Sequence, residues 1–432
     1  MTRILISYYK LQEISIKKTL VFWEGLAKEL VAQGNDVFLL NTACCNCYDS
    51  NKPVREDIGS ELIKRIDDFN PEVIITFNHR IIEDILKKYD VPIIIWDGDE
   101  LSYFCDLDYI KKHKKRYKIF SIVKKWEKDY LDFGFKKEQI LYIPPATAIK
   151  KDNITPKYNV SFLGARDLHD KKFELLARGN SYYPEFYEMI KEFLNTNNYN
   201  YVELFKKHFK HTNLNFSDRE LHILFDYRWL VLSNMLDLGL NITGINSNWN
   251  TIANVTPQLL CAYHPDEIWN LKENSEYYNQ SKISLSIQHP QARGAGFSWR
   301  CFDVMASNAC LVTSESSELK ELLKNNNIDI PMFTNPYEAR TLCKKLLQDE
   351  TLRSELVALC QEYVDKYARW PHRFRNIEDF VGVNLFKKNK PGLLYTNFDL
   401  YQVLPCKKAK KYLLEYKIWQ YLDKKLKRKG II

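Results

Sequence analysis

Short apolar runs alternate with amphipathic helical segments along the first 145 residues, and this alternation constrains the fold more than any other feature of the chain. Arg3 to Tyr8 is typical of a buried strand, Leu20 to Gln33 of a helix ended by Gly34, and Asp36 to Leu40 of the next strand. The pattern continues with helices at Ser60 to Asp68, Arg80 to Tyr89 and Lys125 to Phe133, and with strands at Glu72 to Phe77, Pro92 to Trp96, Ile119 to Val123 and Gln139 to Ile143. Such alternation predicts a parallel sheet with helices on both faces.

A second α/β domain is predicted after a break in this pattern. Pro144-Pro145 and the polar run from Lys150 to Lys157 interrupt it, and Asn159 to Leu163 then starts a new buried strand. A chain of 432 residues is long enough for two domains with separate cores. We therefore predict a first domain at 1–150, a second at 158–385 with a helical insertion at about 167–239, and a crossover with a basic tail at 386–432.

The segment 277–319 predicts a phosphate-binding unit. Ile283 to Ile287 has the pattern of a strand, a loop carrying Gly294 and Gly296 follows, and Trp299 to Ser307 has helical spacing before a further short strand. Backbone N–H groups and the dipole at the start of such a helix suit a nucleotide phosphate.

This segment resembles the C-terminal signature of glycosyltransferase group 1 proteins, especially the branch related to the spore-maturation protein CgeB. In that branch "Y..SKI.LN" is followed by "G...R.FE.MA.GA.L.T". The match covers Tyr278, Ser281, Lys282, Ile283, Leu285, Gly296, Arg300, Phe302, Met305, Ala306, Ala309, Leu311 and Thr313, with Asp303 in place of Glu. The resemblance implies an α/β protein with two Rossmann-like domains (GT-B), here with a helical insertion in the second domain and a C-terminal amphipathic helix.

The resemblance also implies roles in donor binding for residues of the second domain. Arg300 would neutralise the leaving phosphates, although a surface arginine in a salt bridge is the alternative. Asp303 would bind the ribose, unless it only complements the helix dipole. Gly164, in a segment similar to the family's first strand of this domain, would let the backbone approach a substrate. Gly296 belongs to the phosphate loop.

Two further candidates lie on the same loop. Ser298 could bind phosphate or simply cap the helix. The pair His289-Pro290 is similar to the histidine-proline pair that contacts the donor phosphate in sialyl- and keto-sugar transferases with CMP donors, and Asp97-Gly98-Asp99 and Ser316-Ser317 could imitate the acidic and serine motifs of those enzymes.

The first domain carries the candidate catalytic groups. Asp97 and Asp99 directly follow a buried strand, where a carboxylate could accept the proton of an attacking hydroxyl, or could cap a helix instead. His79 also follows a strand and is a further candidate. Retaining relatives commonly carry a second Glu eight positions before the ribose-binding acid, and here that residue is Ala295. The resemblance therefore does not imply retention of configuration.

The positive charge is concentrated in the tail. Residues 401–432 contain ten Lys or Arg and two acidic residues, which accounts for the whole net charge of +8. Apolar and aromatic side chains among the lysines at 407–429 predict an amphipathic helix that either lies on anionic lipid or packs on the body of the protein. The ten cysteines predict no disulfide scaffold, and Cys44, Cys45 and Cys47 lack the spacing of a metal site.

These features predict a metal-independent glycosyltransferase that moves a sugar from a nucleotide-sugar donor to a hydroxyl of a bacterial surface glycan or lipid-linked saccharide. It would need no cofactor besides that substrate and would not bind nucleic acid, because the body of the chain is neutral. Since a buried strand begins at Ile4, we expect no signal peptide and a cytoplasmic location, with the tail on the inner face of the membrane as one option. The alternatives are a transferase for CMP-linked keto-sugars, a sugar-nucleotide epimerase and a catalytically degenerate sugar-binding scaffold.

Overall fold

A computed structural model describes residues 2–9, 19–42, 56–164, 181–196, 201–214, 228–244, 256–264, 268–289, 292, 294–386, 390–400 and 425. The cysteine cluster at 44–47, Pro290 and the predicted tail helix at 407–429, apart from Lys425, lie outside these residues.

The first domain is built on a parallel sheet of seven strands. In chain order these are β1 (Arg3–Tyr8), β2 (Asp36–Asn41), β3 (Val73–Phe77), β4 (Ile93–Trp96), β5 (Tyr117–Ser121), β6 (Ile140–Tyr142) and, from the end of the chain, β13 (Leu394–Thr396). The spatial order is β13-β2-β1-β3-β4-β5-β6. Strands β1 to β5 are largely buried because most of their positions are apolar, as expected for a parallel sheet covered on both faces, whereas the edge strand β13 is largely exposed. The predicted alternation is thus confirmed.

The second domain has a parallel sheet of six strands. They are β7 (Tyr158–Leu163), β8 (Leu240–Thr243), β9 (Tyr263–His264), β10 (Ser281–Ser286), β11 (Cys310–Ser314) and β12 (Met332–Phe333), in the order β12-β11-β10-β7-β8-β9. The chain builds outward from β7 through β8 and β9, and then resumes with β10 on the other side of β7. This reversal makes a topological switch point between β7 and β10, where open α/β sheets bind ligands. The first sheet has the same reversal between β1 and β3.

Helices cover both sheets. Those that follow strands of the first sheet are α1 (Val21–Ala32), α2 (Glu56–Phe69), α3 (Glu83–Lys88), α4 (Leu107–Lys112) and α5 (Glu127–Phe133). The described part of the insertion is helical, as predicted, with α6 (Tyr183–Thr196), α7 (Tyr201–Phe209) and α8 (Arg228–Ser233). The remaining helices are α9 (Leu259–Ala262), α10 (Leu271–Asn279), α11 (Arg300–Met305), α12 (Ser317–Lys324), α13 (Pro336–Gln348), α14 (Glu350–Tyr367) and α15 (Trp370–Val381).

The chain returns to the first domain at α15. Trp370, Phe374 and Ile377 are buried in the core of the first sheet, together with Leu385. Strand β13 then pairs with β2, with Leu394 opposite Val37. The sequence analysis places α15 in the second domain, whereas the structure packs its apolar face on the first. Helix α15 and strand β13 therefore belong to the first domain, although they follow the second domain in the chain.

Candidate functional site

The carboxyl ends of the two sheets meet at the seam between the domains. Val123, just beyond β5, contacts Gly296 of the second domain. Trp299 stacks on Phe22 of α1 with ring centroids 3.6 Å apart, and its ring also lies 5.4 Å from that of Phe77 at the end of β3. The loops that follow the strands therefore face each other where both switch points lie.

Asp97 is fully buried at the end of β4. Its Oδ1 accepts a hydrogen bond from the Ile122 N–H at 2.8 Å, and its Oδ2 accepts one from the Tyr130 hydroxyl at 2.6 Å. Burial raises the pKa of the Asp97 carboxyl to about 7, because desolvation disfavours its charged form. These bonds join the ends of β4 and β5, so this placement favours a structural role over contact with a substrate.

His79 is also buried, directly after β3. Its Nδ1 lies 2.7 Å from the Cys105 carbonyl, and its Nε2 lies 2.9 Å from the Tyr117 hydroxyl. A carbonyl only accepts, so Nδ1 carries the proton and Nε2 accepts from the tyrosine. Burial lowers the pKa of His79 to about 4, which keeps the ring neutral. In this arrangement both ring nitrogens of His79 are used in hydrogen bonds within the first domain.

Asp99 lies two residues beyond the buried Asp97, in the loop that follows β4. It is half-buried, and its Oδ2 accepts a hydrogen bond from Asn78 Nδ2 at 2.7 Å. The preceding residue, Gly98, lies under the Phe77 ring so closely that a Cβ would be 1.9 Å from it. Since the Phe77 ring also lies 5.4 Å from that of Trp299, the loop that carries Gly98 and Asp99 borders the ring that contacts the second domain.

Arg300 lies at the switch point of the second sheet. Its guanidinium carbon is 5.6 Å from the centre of the Phe162 ring on β7. A Cβ on Gly164 would come within 3.2 Å of Arg300 Nη2, so the glycine makes room for the guanidinium. No Asp or Glu in the described residues forms a salt bridge with it. The surface salt bridge considered as its alternative role is therefore not seen there.

A second arginine, which the sequence analysis did not single out, lies on the same aromatic ring. Arg228 begins α8 and is 8% exposed, and its guanidinium carbon is 5.9 Å from the centre of Phe162. Its Nε donates to the Ile287 carbonyl at 3.4 Å. Two guanidinium groups thus converge beside β7 and β10. An arginine at the start of a helix after a long insertion gives no sequence signal of this convergence.

Polar side chains beyond β10 complete this edge. Gln288 is 1% exposed, and neither its amide oxygen nor its amide nitrogen has a partner among the described residues. Its backbone N–H donates to Ser314 Oγ at 3.3 Å. His289 follows and is half-buried. A buried amide without a protein partner is unusual and marks a place where a bound polar group would be favourable.

The glycine loop is fastened to the start of α12. The N–H groups of Ser317 and Glu318 donate to the carbonyls of Gly294 and Ala295, and Ser316 Oγ donates to the Ala295 carbonyl at 2.7 Å. Ser316 also accepts from the Leu319 N–H as the helix cap. The serine pair of the CMP-donor motif is thus used locally, and the start of α12 is already satisfied by the loop.

Gly296 and Ser298 have packing and capping contacts at the other end of the loop. A Cβ on Gly296 would lie 2.6 Å from Val123 Cγ2, so the close approach of the two domains requires glycine. Ser298 Oγ accepts from the Arg300 N–H at 3.3 Å. Helix α11 is six residues long, shorter than the predicted Trp299 to Ser307, so its dipole is small and the charge of Arg300 is the stronger attraction for an anion.

Asp303 faces the linker between the domains. Its Oδ1 accepts from Thr147 Oγ1 at 2.6 Å, and the same hydroxyl accepts from the Ile149 N–H. Burial raises the pKa of Asp303 to about 6, although Thr147 and the nearby Arg300 partly offset this. In this conformation the carboxylate ties α11 to the linker, and ribose binding stays a prediction.

Contacts on the other side of the seam were not foreseen from the sequence. The buried Glu318 accepts from the Lys124 N–H at 2.9 Å, and Lys124 Nζ lies 2.8 Å from Glu321 Oε2.

Within the described residues no group of three or more His, Cys, Asp or Glu is arranged to hold a metal ion. None of the helices in the described ranges combines the length and apolar composition needed to cross a bilayer.

Comparison with known proteins agrees with this arrangement. Residues 228–379, from Arg228 through the glycine loop and α11, match a family model described as "Glycosyl transferase-like". Anabaena Alr3699/HepE, solved in complex with UDP, is 7% identical and superposes with a TM-score of 0.51 over 88% of this chain and 100% of its own. T4 phage BGT in complex with UDP and Mn2+ is 11% identical, with a TM-score of 0.48 over 88% of this chain and 100% of its own. No curated protein matches the chain.

Together the two sheets, their switch points and the Anabaena superposition define the fold class. The chain is a two-domain α/β protein of the GT-B class. Residues 228–379 are similar to glycosyl transferase-like proteins.

Proposed function

We propose that this protein is a glycosyltransferase that moves a sugar from a nucleotide-sugar donor to a hydroxyl group. The observation that carries the proposal is the pair Arg228 and Arg300, which converge on Phe162 beside Gly164 at the switch point of the second sheet. Asp99, which follows β4 in the first domain, would supply a carboxylate. A cationic site together with a carboxylate suits the transfer of a group away from a phosphate.

The reaction divides between the two edges. The arginines would bind the donor diphosphate and stabilise the negative charge that grows on it as the bond from the sugar C1 to the phosphate oxygen breaks. Asp99 would accept the proton of the acceptor hydroxyl while the hydroxyl oxygen forms the new bond to C1. The products are the glycosylated acceptor and a nucleoside diphosphate, with the proton held first by the Asp99 carboxylate.

The donor is best identified by binding. We expect isothermal titration calorimetry to detect at least one of UDP, GDP, dTDP or CMP, with UDP tested first because the Anabaena protein holds UDP. Binding of CMP alone would favour the keto-sugar alternative, to which His289 would then contribute. Absence of binding by all four nucleotides would contradict the proposal and favour a sugar-binding scaffold.

Turnover separates transfer from its enzymatic rival. Incubation of the full chain with the bound nucleotide sugar, with and without a panel of glycan acceptors, should release nucleotide in an acceptor-dependent way. Formation of a new sugar nucleotide or a glycal without acceptor would indicate an epimerase instead. We further propose that the reaction needs no metal, because guanidinium groups can carry the phosphate charge. Activity that vanishes after chelation and returns only with Mn²⁺ or Mg²⁺ would overturn this part.

The acceptor is proposed to be a bacterial surface glycan or a lipid-linked saccharide, which the protein reaches from the inner face of the membrane. The basic tail supports this, because lysines near a bilayer add about 1 kcal/mol each to binding of anionic lipid. Cosedimentation with vesicles that contain phosphatidylglycerol should fall strongly when Lys407, Lys408, Lys410 and Lys411 are replaced by Gln. Equal sedimentation of the two proteins would contradict the membrane contact and leave donor binding unaffected.

A further inference from the structure

We infer that Asn78 is a positioning residue, which holds the Asp99 carboxylate through a hydrogen bond to Oδ2. The inference rests on the proposed function, because it assigns Asn78 a task in the glycosyl transfer that Asp99 serves. Asn78 does not touch the substrate in this scheme. It acts through Asp99.

The backbone at Asn78 is held in an uncommon conformation. Asn78 has a φ of 48° and His79 a φ of 57°, so two consecutive residues other than glycine lie in the left-handed region. Each such residue is strained and persists only where its surroundings enforce it. Here Asn78 N–H donates to the Trp96 carbonyl and its carbonyl accepts from the Cys105 N–H, both at 3.2 Å. The two bonds of the His79 ring fix the next residue.

The side-chain amide of Asn78 makes hydrogen bonds to two consecutive residues, Gly98 and Asp99. Oδ1 accepts from the Gly98 N–H at 2.9 Å, while Nδ2 donates to Asp99 Oδ2 at 2.7 Å. The Gly98 bond decides which end of the amide is the oxygen, so the NH₂ group must face the carboxylate. A single buried side chain thereby fixes the position of Asp99 relative to the end of β4.

Acidic neighbours of Asp99 make its hydrogen bond from Asn78 more important. Asp99 lies near the buried Asp97, whose carboxyl it influences electrostatically, and Glu100 is the next residue. Like charges disfavour an ionised carboxylate, whereas a donated N–H favours it. The neutral His79 and its Tyr117 partner add no positive charge. Asn78 donates a hydrogen bond to Asp99 among these acidic neighbours, and such a bond favours an ionised carboxylate.

Two substitutions at Asn78 separate the effect of its backbone conformation from the effect of its side-chain amide. Asn78→Gly adopts the left-handed conformation without strain but removes the amide. Asn78→Asp keeps the shape but places a second carboxylate beside Asp99. Asn70→Gly is the matched control, because Asn70 also has a positive φ, of 50°, and is exposed just after α2. The measurements are kcat and KM against pH on the full chain, and titration of the Asp99 carboxyl by carbon-13 NMR, assigned with Asp99→Asn.

For Asn78→Gly we expect a thermal midpoint close to that of the native protein, a kcat lowered about tenfold with little change in donor KM, and an acid limb of the pH profile moved up by about half a unit. Asn78→Asp should move that limb further, and Asn70→Gly should leave it in place. An unchanged Asp99 titration in Asn78→Gly would overturn the inference. If no nucleotide binds and no transfer occurs, the proposed function fails, whereas the NMR titration still decides whether Asn78 controls Asp99.

Discussion

The carboxyl edges of the two sheets differ in the kinds of residue that line them. On the first edge, buried polar side chains bond to other side chains and to the backbone, as Asp97 and His79 do, and burial raises the pKa of Asp97 and lowers that of His79. On the second edge, Gly164 makes room for Arg300. Under the proposed function, the first edge would hold one carboxylate and the second would bind the anionic donor. A transferase needs this division, because the reacting hydroxyl must be oriented while the donor must enter and leave.

Removal of the cation on the second edge should have the largest effect. Arg300→Ala is expected to lower kcat/KM at least about 100-fold, since a charge-assisted contact to a developing phosphate charge is worth about 3 kcal/mol. Arg300→Lys should recover only part, because lysine lacks the planar fork. The measurement is steady-state kinetics, with nucleotide affinity by calorimetry. Arg340→Ala, which breaks a surface ion pair with Asp237 in the same domain, is the control. Equal losses in both variants would refute a special role for Arg300.

On the first edge, the main expected effect is on stability, and it depends on pH. The folded-state pKa of Asp97, about 7, lies above its ordinary value of 3.8, so between these values the folded protein binds the proton more tightly than the unfolded chain. Asp97 therefore makes the free energy of unfolding fall as the pH rises from about 4 to 7. Asp97→Asn should remove up to about 2 kcal/mol of this fall between pH 5 and 7.

Urea unfolding of the native protein and of Asp97→Asn at several pH values measures this slope. Asp303→Asn is a useful companion, because the pKa of Asp303, about 6, gives a fall of the same sign that ends about one pH unit lower. Identical pH slopes for native protein and Asp97→Asn would show that the carboxyl is not desolvated as the structure indicates.

The contact where the edges meet should have an intermediate effect. Gly296→Ala would place a methyl group 2.6 Å from Val123 Cγ2, so the domains must separate slightly. We expect kcat/KM to fall about tenfold, as misplacement across an active site commonly costs. The double variant Gly296→Ala/Val123→Ala lacks the clashing methyl groups. Its kcat/KM should therefore be close to that of Val123→Ala alone. Gly294→Ala, whose Cβ would meet nothing within 4 Å, should cost only the strain of its positive φ. Failure of the double variant to recover would contradict closure at this point.

The alternation of strands and helices was sufficient to predict most of the fold. The prediction for β1, Arg3 to Tyr8, agrees with the structure to the residue, because that strand carries a clear local pattern. Strands β9 and β12 have two residues each and β13 has three, so they are defined by pairing and leave no periodic signal. The return of α15 to the first domain depends on where Trp370 packs, which is tertiary information.

Less of the site could be predicted. Positions after strands led to Asp97, Asp99 and His79, since strand ends meet at one edge of a sheet, whereas Arg300 was taken from the family resemblance. The catalytic and donor-binding roles of these residues stay predictions. The sequence could not show that Asp97 and His79 are buried, because burial depends on what α5 and β5 bring over them. Arg228 reaches Phe162 from a helix that the insertion separates from β7, so no local spacing relates the two.

The smallest effect is expected at His79, and it tests whether the first edge is structural at that position. Its folded-state pKa of about 4 lies below the ordinary 6.5, so the unfolded chain binds the proton more tightly between these values. His79 therefore contributes stability above pH 6.5 that is lost as the pH falls toward 4, the reverse of Asp97. His79→Gln should lower the free energy of unfolding at pH 7 by about 1 kcal/mol through poorer bonds to Cys105 and Tyr117, and should flatten the loss in acid. Since the ring stays neutral from pH 5 to 8, the shape of the pH–rate profile should not change. A catalytic base would behave differently, because its loss should slow turnover by two orders of magnitude or more. Such a slowing with unchanged stability would make His79 part of the chemistry.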